Sequence, residues 1–198
     1  MSISRRRALQ GTFIAWGLGA CASAPPPVQR PDFQAAAFDA RAIEVLALAP
    51  VVDLRPDRSE VIEIDKWVHT YSNQILPGRG YKAMVIASAE ARAGLEGAGQ
   101  VEVLAESLKR YRVAGAPRWV LVFVLVDYKA KLTFGSTGNA EMVALLLDQQ
   151  NGEVVWRHRA LGQFGQGGLI GMMVKNLAGQ TAVQLATDKL LSALPSRL

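Results

Sequence analysis

The chain has one cysteine, Cys21, among its 198 residues. No disulfide can therefore form within a copy, and no cysteine-based zinc site is possible. Only two histidines are present, His69 and His158, and their spacing matches neither H-x-x-x-H nor H-E-x-x-H. We interpret both as partly exposed structural residues, and we expect no metal site and no cofactor.

Sequence motifs for nucleophilic and phosphate chemistry are also missing. There is no G-x-S-x-G elbow, and the segment around Ser136 resembles that motif only loosely. The glycine-rich stretch 162–168 lacks the Gly-Lys-Ser/Thr ending of a phosphate loop. We therefore expect no catalytic residues, and we predict that the chain is not an enzyme.

Carboxylates crowd one region, which raises the possibility of acid/base work by a pair of them. They are interleaved with the cations Arg55, Arg58 and Lys66, so a solvated mixed-charge loop is the better interpretation. The acidic residues are Asp53, Asp57, Glu60, Glu63 and Asp65.

Excess charge of one sign is small. The formal net charge is +5, and Arg5, Arg6 and Arg7 alone supply three of those charges. No block of lysine and arginine follows that could track a phosphate backbone, so we expect no nucleic-acid partner. A hydrophobic content of 50% with 20% charged residues indicates a globular body instead of a disordered one.

The first 21 residues have the layout of a bacterial export signal. Three arginines precede the uncharged apolar run 8–20, which is shorter than the about 20 residues that a spanning helix needs. The next feature, Leu18-Gly19-Ala20-Cys21, resembles the lipobox, where signal peptidase II cuts before a cysteine that carries diacylglycerol. We predict signal cleavage after Ala20 and lipid attachment, including palmitate, at Cys21.

Acylation would hold the protein on a membrane without a spanning helix, because two or more acyl chains give stable anchoring. The residue after the cysteine is Ala22, not the Asp that tends to retain enterobacterial lipoproteins at the inner membrane. By that resemblance we expect the mature protein on the periplasmic face of the outer membrane. The segment 4–10 also resembles a twin-arginine export motif, and Sec and twin-arginine export both stay open.

The rest of the chain divides into a tether and one domain. Residues 1–20 are the signal peptide, 21–41 a lipidated proline-rich tether, and 42–198 a single periplasmic domain. Hydrophobic periodicity predicts strands at 43–49, 81–87, 119–126, 140–147 and 153–161. It predicts helices starting at 63, 101 and 172, the last with Gly179 as a possible break, and loops at 135–138 and 162–168.

This order of elements predicts an α+β fold. We expect a two-layer domain with a mixed sheet, a C-terminal antiparallel meander and helices on one face. The segment 169–174 has no charge and opens the last helix, so it is either a core anchor or an exposed interface. The candidate residues for an oligomer or partner interface are Leu169, Ile170, Met172 and Met173.

Several features together resemble a known group. They are the lipobox, the tether, a strand ending in Leu48-Ala49-Pro50-Val51-Val52-Asp53, the hairpin from Asp148 to Trp156, and Gly167-Gly168-Leu169-Ile170-Gly171 before the final helix. This pattern is similar to outer-membrane lipoproteins whose domain resembles the N-terminal domain of the Tol translocation protein. The group includes the curli secretion channel, the Pel polysaccharide export lipoprotein, the peptidoglycan synthase activator lipoprotein and uncharacterised surface lipoproteins.

The resemblance implies a non-enzymatic role in the cell envelope. We expect a lipid-anchored scaffold or accessory protein of an export or assembly machine, acting by protein–protein binding and forming a homo-oligomer. Two alternatives stay open. One is a monomeric activator of a peptidoglycan synthase. The other is a ligand-binding, glycan-binding or hydrolytic lipoprotein that uses the acidic region 53–65 and Trp67.

Overall fold

The computed structural model describes residues 31–95, 99–133, 135–167 and 175–198. Within these ranges the strands are β1 Phe33–Gln34, β2 Val45–Leu48, β3 Val52–Asp53, β4 Lys82–Val85, β5 Trp119–Thr133, β6 Gly135–Asp148 and β7 Glu153–Gly167. The helices are α1 Ile64–Ile75, α2 Ala89–Ala93, α3 Val101–Leu108 and α4 Lys175–Ala193.

The strands form a mixed sheet in the order β1-β7-β6-β5-β2-β4, and the short β3 also pairs with β5. Strand β2 runs parallel to β4 and β5, whereas β5, β6 and β7 form an antiparallel meander. Their register places Leu121 opposite Leu146 and Met142 opposite Ala160. The α+β class, the mixed sheet and the C-terminal meander are confirmed.

Strand β5 divides the core into two clusters. Successive side chains of a strand point to opposite faces, so Leu121, Phe123 and Leu125 enter one cluster and Val120, Val122 and Val124 enter the other. Helices α1 and α4 cover the first cluster, and α2 and α3 cover the second. The expectation of helices on one face is therefore corrected. A central strand that is apolar on both faces needs cover on both.

The meander is longer than the hydrophobic pattern predicts. The predicted loop around Gly135 and Gly138 belongs to β6, and β7 continues to Gly167. A Cβ atom at Gly138 would overlap the backbone carbonyl of Ala178, and one at Gly162 would overlap that of Ala182. These two glycines therefore let α4 lie directly on the sheet backbone. In the sequence alone, glycines at such positions indicate a loop, which is why the hydrophobic pattern predicts shorter strands.

Helix α4 is continuous through Gly179, so the predicted break does not occur. The hydroxyl of Tyr128 occupies the place where a Cβ atom at Gly179 would lie. A glycine in a helix usually weakens it, but here the glycine admits an aromatic side chain from β5. The predicted beginning of this helix, residues 172–174, lies outside the described residues.

The folded chain begins before the predicted domain boundary at residue 42. Strand β1 pairs with Trp156 and Arg157 of β7, and the amide of Ala35 donates to the carbonyl of Val155 at 2.8 Å. Phe38 packs against the core cluster that α4 covers. The last part of the predicted tether is therefore part of the domain, because the outer edge of β7 offers backbone groups that need partners.

Candidate functional site

The residues of the predicted signal and interface lie outside the described residues. They are Ala20, Cys21, Leu169, Ile170, Met172 and Met173. Lipid attachment at Cys21 and an interface at 169–173 therefore stay predictions.

The acidic region 53–65 is engaged in structural contacts. Arg55 donates from Nε to Asp53 Oδ1 at 2.9 Å and from Nη2 to Oδ2 at 2.8 Å, and it stacks 5.7 Å from the centroid of the Tyr128 ring. Burial alone would raise the pKa of Asp53. Hydrogen bonds from the Arg55 side chain and backbone outweigh that effect and hold the pKa below its ordinary value. Asp53 therefore stays ionised as half of a bidentate ion pair.

Two side chains of α1 attach this helix to the turn after β2. The amide of Val51 donates to Asp65 Oδ1 at 2.5 Å, and Arg92 donates to Oδ2 at 2.7 Å. On the same helix, Nε2 of His69 lies 3.0 Å from the carbonyl oxygen of Ala49. Both predicted candidates thus have partners that account for their positions.

A small cavity of about 190 Å³ lies beside the acidic region. Its lining residues are Glu60, Val61, Ile62, Glu63, Trp67 and Tyr128. Burial raises the pKa of Tyr128 to about 12, so its phenol stays protonated at neutral pH. Typical ligand pockets measure about 300–1,000 Å³, so this cavity fits only a small chemical group.

His158 and Ser136 both lie within the meander. His158 is only 8% exposed, so the expectation of a partly exposed residue is wrong for it, and its Nδ1 lies 3.4 Å from Asp32 Oδ1, where the chain enters β1. Ser136 is buried in β6 between Leu132 and Gln166 of the neighbouring strands. A mid-sheet position differs from the strand-to-helix turn that an exposed nucleophilic serine occupies.

A larger surface cleft, which we call the arginine cleft, opens where β5 begins and β6 ends. Its volume is about 530 Å³, within the usual range for binding pockets. Its lining residues are Glu90, Arg112, Val113, Ala114, Ala116, Arg118, Gln149 and Gln150. Most of this surface is apolar, and two arginines supply positive charge to it.

Arg118 is fixed in place although its side chain is half exposed. It donates from Nε to Asp148 Oδ1 at 2.8 Å and from Nη2 to Oδ2 at 2.5 Å, and its guanidinium lies 4.7 Å from the centroid of the Trp119 ring. Asp148 is 2% exposed, and the hydrogen bonds from Arg118 hold its pKa below the ordinary value. A bidentate pair and a stacked ring together orient this cation toward the cleft.

Gln149 holds the opposite wall. Its Oε1 accepts from the amide of Val113 at 2.8 Å, and its Nε2 donates to the carbonyl of Pro117 at 2.7 Å. Arg112 is held by its own backbone surroundings, since its Nη1 donates to the carbonyl of Tyr111 at 2.7 Å. The cleft is therefore formed before any ligand arrives.

Sequence reasoning does not identify this cleft. Its residues come from α2, from the loop between α3 and β5, and from the β6–β7 turn, so no local pattern joins them. The available signals are the arginines that flank Gly115 and Pro117, and the polar pair before the Asn151-Gly152 turn.

The described residues hold neither a metal-ligand cluster nor a helix that could span a membrane. In the described part of the chain, no group of three or more His, Cys, Asp or Glu side chains is arranged to hold a metal ion. Among the helices that lie in those same ranges, none combines the length and the apolar character needed to cross a membrane.

No protein-family model and no curated protein sequence matches this chain. Among solved structures, the chain is similar to a PelC dodecamer from Paraburkholderia phytofirmans, with 14% identity, coverage of 80% of this chain and 92% of that chain, and a TM-score of 0.47. It is also similar to lipoprotein GNA1162 from Neisseria meningitidis, with 20% identity, 70% and 98% coverage, and a TM-score of 0.42.

A third similar structure is the C-terminal domain of LpoB from Salmonella enterica, with 15% identity, 67% and 88% coverage, and a TM-score of 0.36. Bacterial lipoproteins are thus among the structures that this chain resembles.

Proposed function

We propose that this protein is a lipid-anchored accessory protein on the periplasmic face of the outer membrane. It scaffolds or assists an export or assembly machine of the cell envelope, and it acts by binding proteins, not by catalysis. The observation that carries the proposal is the single cysteine, placed after Leu18-Gly19-Ala20 and before a proline-rich segment. Diacylglycerol at Cys21 would fix one end of the chain, and the following residues would set its reach.

The described domain supports a binding role through the arginine cleft. The carboxylates Asp53 and Asp65 and the ring of His69 serve structural contacts, whereas the cleft presents held cations over an apolar floor. Such a surface recognises a partner without any reacting group. We further propose that the protein forms a homo-oligomer, with Leu169, Ile170, Met172 and Met173 as one candidate interface.

The test of this proposal is metabolic labelling with an alkyne-bearing palmitate, followed by fractionation of the envelope. The wild-type chain should carry the label and sediment with outer membranes. Cys21→Ser should lose the label and no longer sediment with outer membranes, because the acyl chains are what would hold the protein there. Equal labelling of both chains, or a wild-type chain found only in the soluble fraction, would reject lipid anchoring.

A glycan-binding lipoprotein is the second candidate. It is favoured by one observation, the cavity in which Glu60 and Glu63 lie beside Trp67 and Tyr128. Aromatic rings next to carboxylates suit a sugar ring. The volume of about 190 Å³ holds less than a typical ligand, so protein binding remains the primary proposal.

A further inference from the structure

The arginine cleft has the properties of a receptor for an apolar segment that carries negative charge. Val113 is buried in its floor, Ala114 is exposed, and Arg112 and Arg118 present their guanidinium groups beside them. Both arginines are already oriented by hydrogen bonds within the protein, which lowers the entropy lost when a ligand carboxylate binds. Glu90 also lines the cleft and Asp148 already pairs with Arg118, so a ligand that adds cations beside its acids would fit better than a purely acidic one.

A segment with those properties is present in the chain itself. Residues 57–63, which we call the acidic loop, contain Asp57, Glu60 and Glu63 with a single cation, Arg58. Glu63 also pairs with Lys66, just outside the loop, at 3.0 Å in an exposed contact. Within this loop Val61 is 95% exposed, the highest value among the large apolar side chains of the described residues. Its neighbour Ile62 packs against the core, so the loop is anchored while Val61 projects into solvent.

The acidic loop and the arginine cleft lie at different positions along strand β5. The cleft adjoins Trp119, the first residue of β5, whereas the loop lines a cavity with Tyr128, nine residues further along the strand. A strand advances about 3.3 Å per residue, so the separation is about 30 Å. The loop is held by Arg55, whose Nη2 donates to the carbonyl of Glu60 at 3.1 Å, and it cannot reach the cleft of its own copy.

We propose that the acidic loop of one copy docks in the arginine cleft of a second copy. Val61 would lie on the apolar floor beside Val113, and the loop carboxylates would face Arg112 and Arg118. The inference rests on the proposed homo-oligomer and names the two surfaces that join the copies. Because those surfaces differ, the contact is heterologous, and repeated contacts build a ring or a filament instead of a closed dimer.

The test uses two variants that each block one surface. Val61→Arg blocks the acidic loop and leaves the cleft intact, and Arg112→Glu blocks the cleft and leaves the loop intact. Both side chains are exposed, so circular dichroism should show normal folding. The mature lipidated chain is purified in detergent, and its mass is measured by native mass spectrometry across a concentration series.

The wild-type chain should give an oligomer, and each variant alone should weaken association about tenfold or more and give a monomer. An equal mixture of the two variants should give a dimer with one copy of each, and nothing larger, because one intact loop meets one intact cleft. Val103→Arg and Lys131→Glu are matched controls at exposed positions outside both surfaces, and they should keep the wild-type mass.

Three results would overturn this contact without rejecting the homo-oligomer. The first is a wild-type mass for either blocked variant, and the second is a mixture that contains monomers alone. The third is an oligomer that is lost only in a Leu169→Asp, Met172→Asp double variant. That result would keep the proposal of a homo-oligomer and assign its contact to the surface at Leu169 and Met172. A monomeric wild-type chain would reject both this contact and the homo-oligomer, whereas lipid anchoring at Cys21 is decided separately by the palmitate label.

Discussion

The two faces of the sheet are covered in different ways. On one face, the long helix α4 lies on the backbone of β6 and β7 at Gly138 and Gly162, with no side chain between them. On the other face, the short helices α2 and α3 contribute Ala91, Leu104 and Leu108 to the core and leave the arginine cleft beside them. The first face is closed by backbone contact, and the second is only partly closed by side chains.

The two faces therefore have different roles: the α4 face stabilises the fold, and the α2 and α3 face carries the candidate binding site. A helix that touches sheet backbone cannot shift without losing many contacts at once, so the α4 face holds the meander rigid. On the face with α2 and α3, the loop before β5 and the turn after β6 border the arginine cleft. Binding residues concentrate on loops that a rigid scaffold positions. We therefore expect substitutions on the α4 face to change folding, and those at the cleft to change local order and binding.

The largest effect should come from adding one methyl group beneath α4. In Gly162→Ala the new Cβ would overlap the Ala182 carbonyl and approach the amide nitrogen of Ala186. Because both are helix backbone, relief requires α4 to move, and we expect a loss of about 3 kcal/mol in the free energy of unfolding. Urea unfolding monitored by circular dichroism measures this loss.

Gly165→Ala is the matched control for that substitution, because it lies three residues along the same strand. Its Cβ would meet only Thr137 Cγ2, at an ordinary 3.9 Å. We expect no loss, or a gain of about 0.5 kcal/mol from a less flexible unfolded chain. Equal losses in the two variants would show that glycine is needed in β7 for a reason other than the approach of α4.

The next effect concerns the ion pair that orients Arg118 at the cleft. Asp148→Asn removes the charge but keeps the shape, and we expect a loss of about 2 kcal/mol, since Arg118 is half exposed and can regain water. The wild-type pKa of Asp148 is below its ordinary value. Its contribution to stability is therefore full above about pH 4, where the unfolded carboxylate is ionised, and is lost as the pH falls further.

The measurement for this ion pair is the free energy of unfolding between pH 7 and pH 3. Asp148→Asn should lose less stability than the wild-type chain over the acid part of that range. Asp53→Asn is the counterpart opposite the middle of β5, because the pKa of Asp53 is also lowered and its carboxylate pairs with Arg55. An acid profile for Asp148→Asn that parallels the wild-type profile would contradict the assignment.

Hydrophobic patterning predicts the parts of the fold in which neighbouring residues decide the outcome. The apolar run at 119–126 identifies the central strand, the stripe from Ile64 to Ile75 identifies α1, and Asn151-Gly152 identifies the turn before β7. Gly152 has φ +78°, a conformation that favours glycine. In these elements the local preference and the tertiary structure agree.

The missed features depend on contacts between distant segments. Gly138 and Gly162 indicate loops by composition, yet both lie in strands. They are glycines because α4 packs against them through Ala178 and Ala182, which lie 40 and 20 residues further along the chain. Strand β1 has only two residues and no periodicity, so its pairing with β7 follows from the free edge of the sheet. The arginine cleft combines three segments, and only folding brings Arg112, Arg118 and Gln149 together.

The smallest effect that we predict tests how the cleft wall is held. Gln149→Ala removes hydrogen bonds to the amide of Val113 and to the carbonyl of Pro117, and we expect a loss of about 1.5 kcal/mol in the free energy of unfolding. The exchange of the Val113 amide hydrogen should accelerate more than that of amides in β5, because the loop opens locally. Gln150→Ala is the control, since its side chain is exposed and its backbone amide keeps the bond to Asp148. If the Val113 amide hydrogen exchanges at the wild-type rate in both variants, the loop is held by the apolar packing of Val113, and the cleft wall does not depend on Gln149.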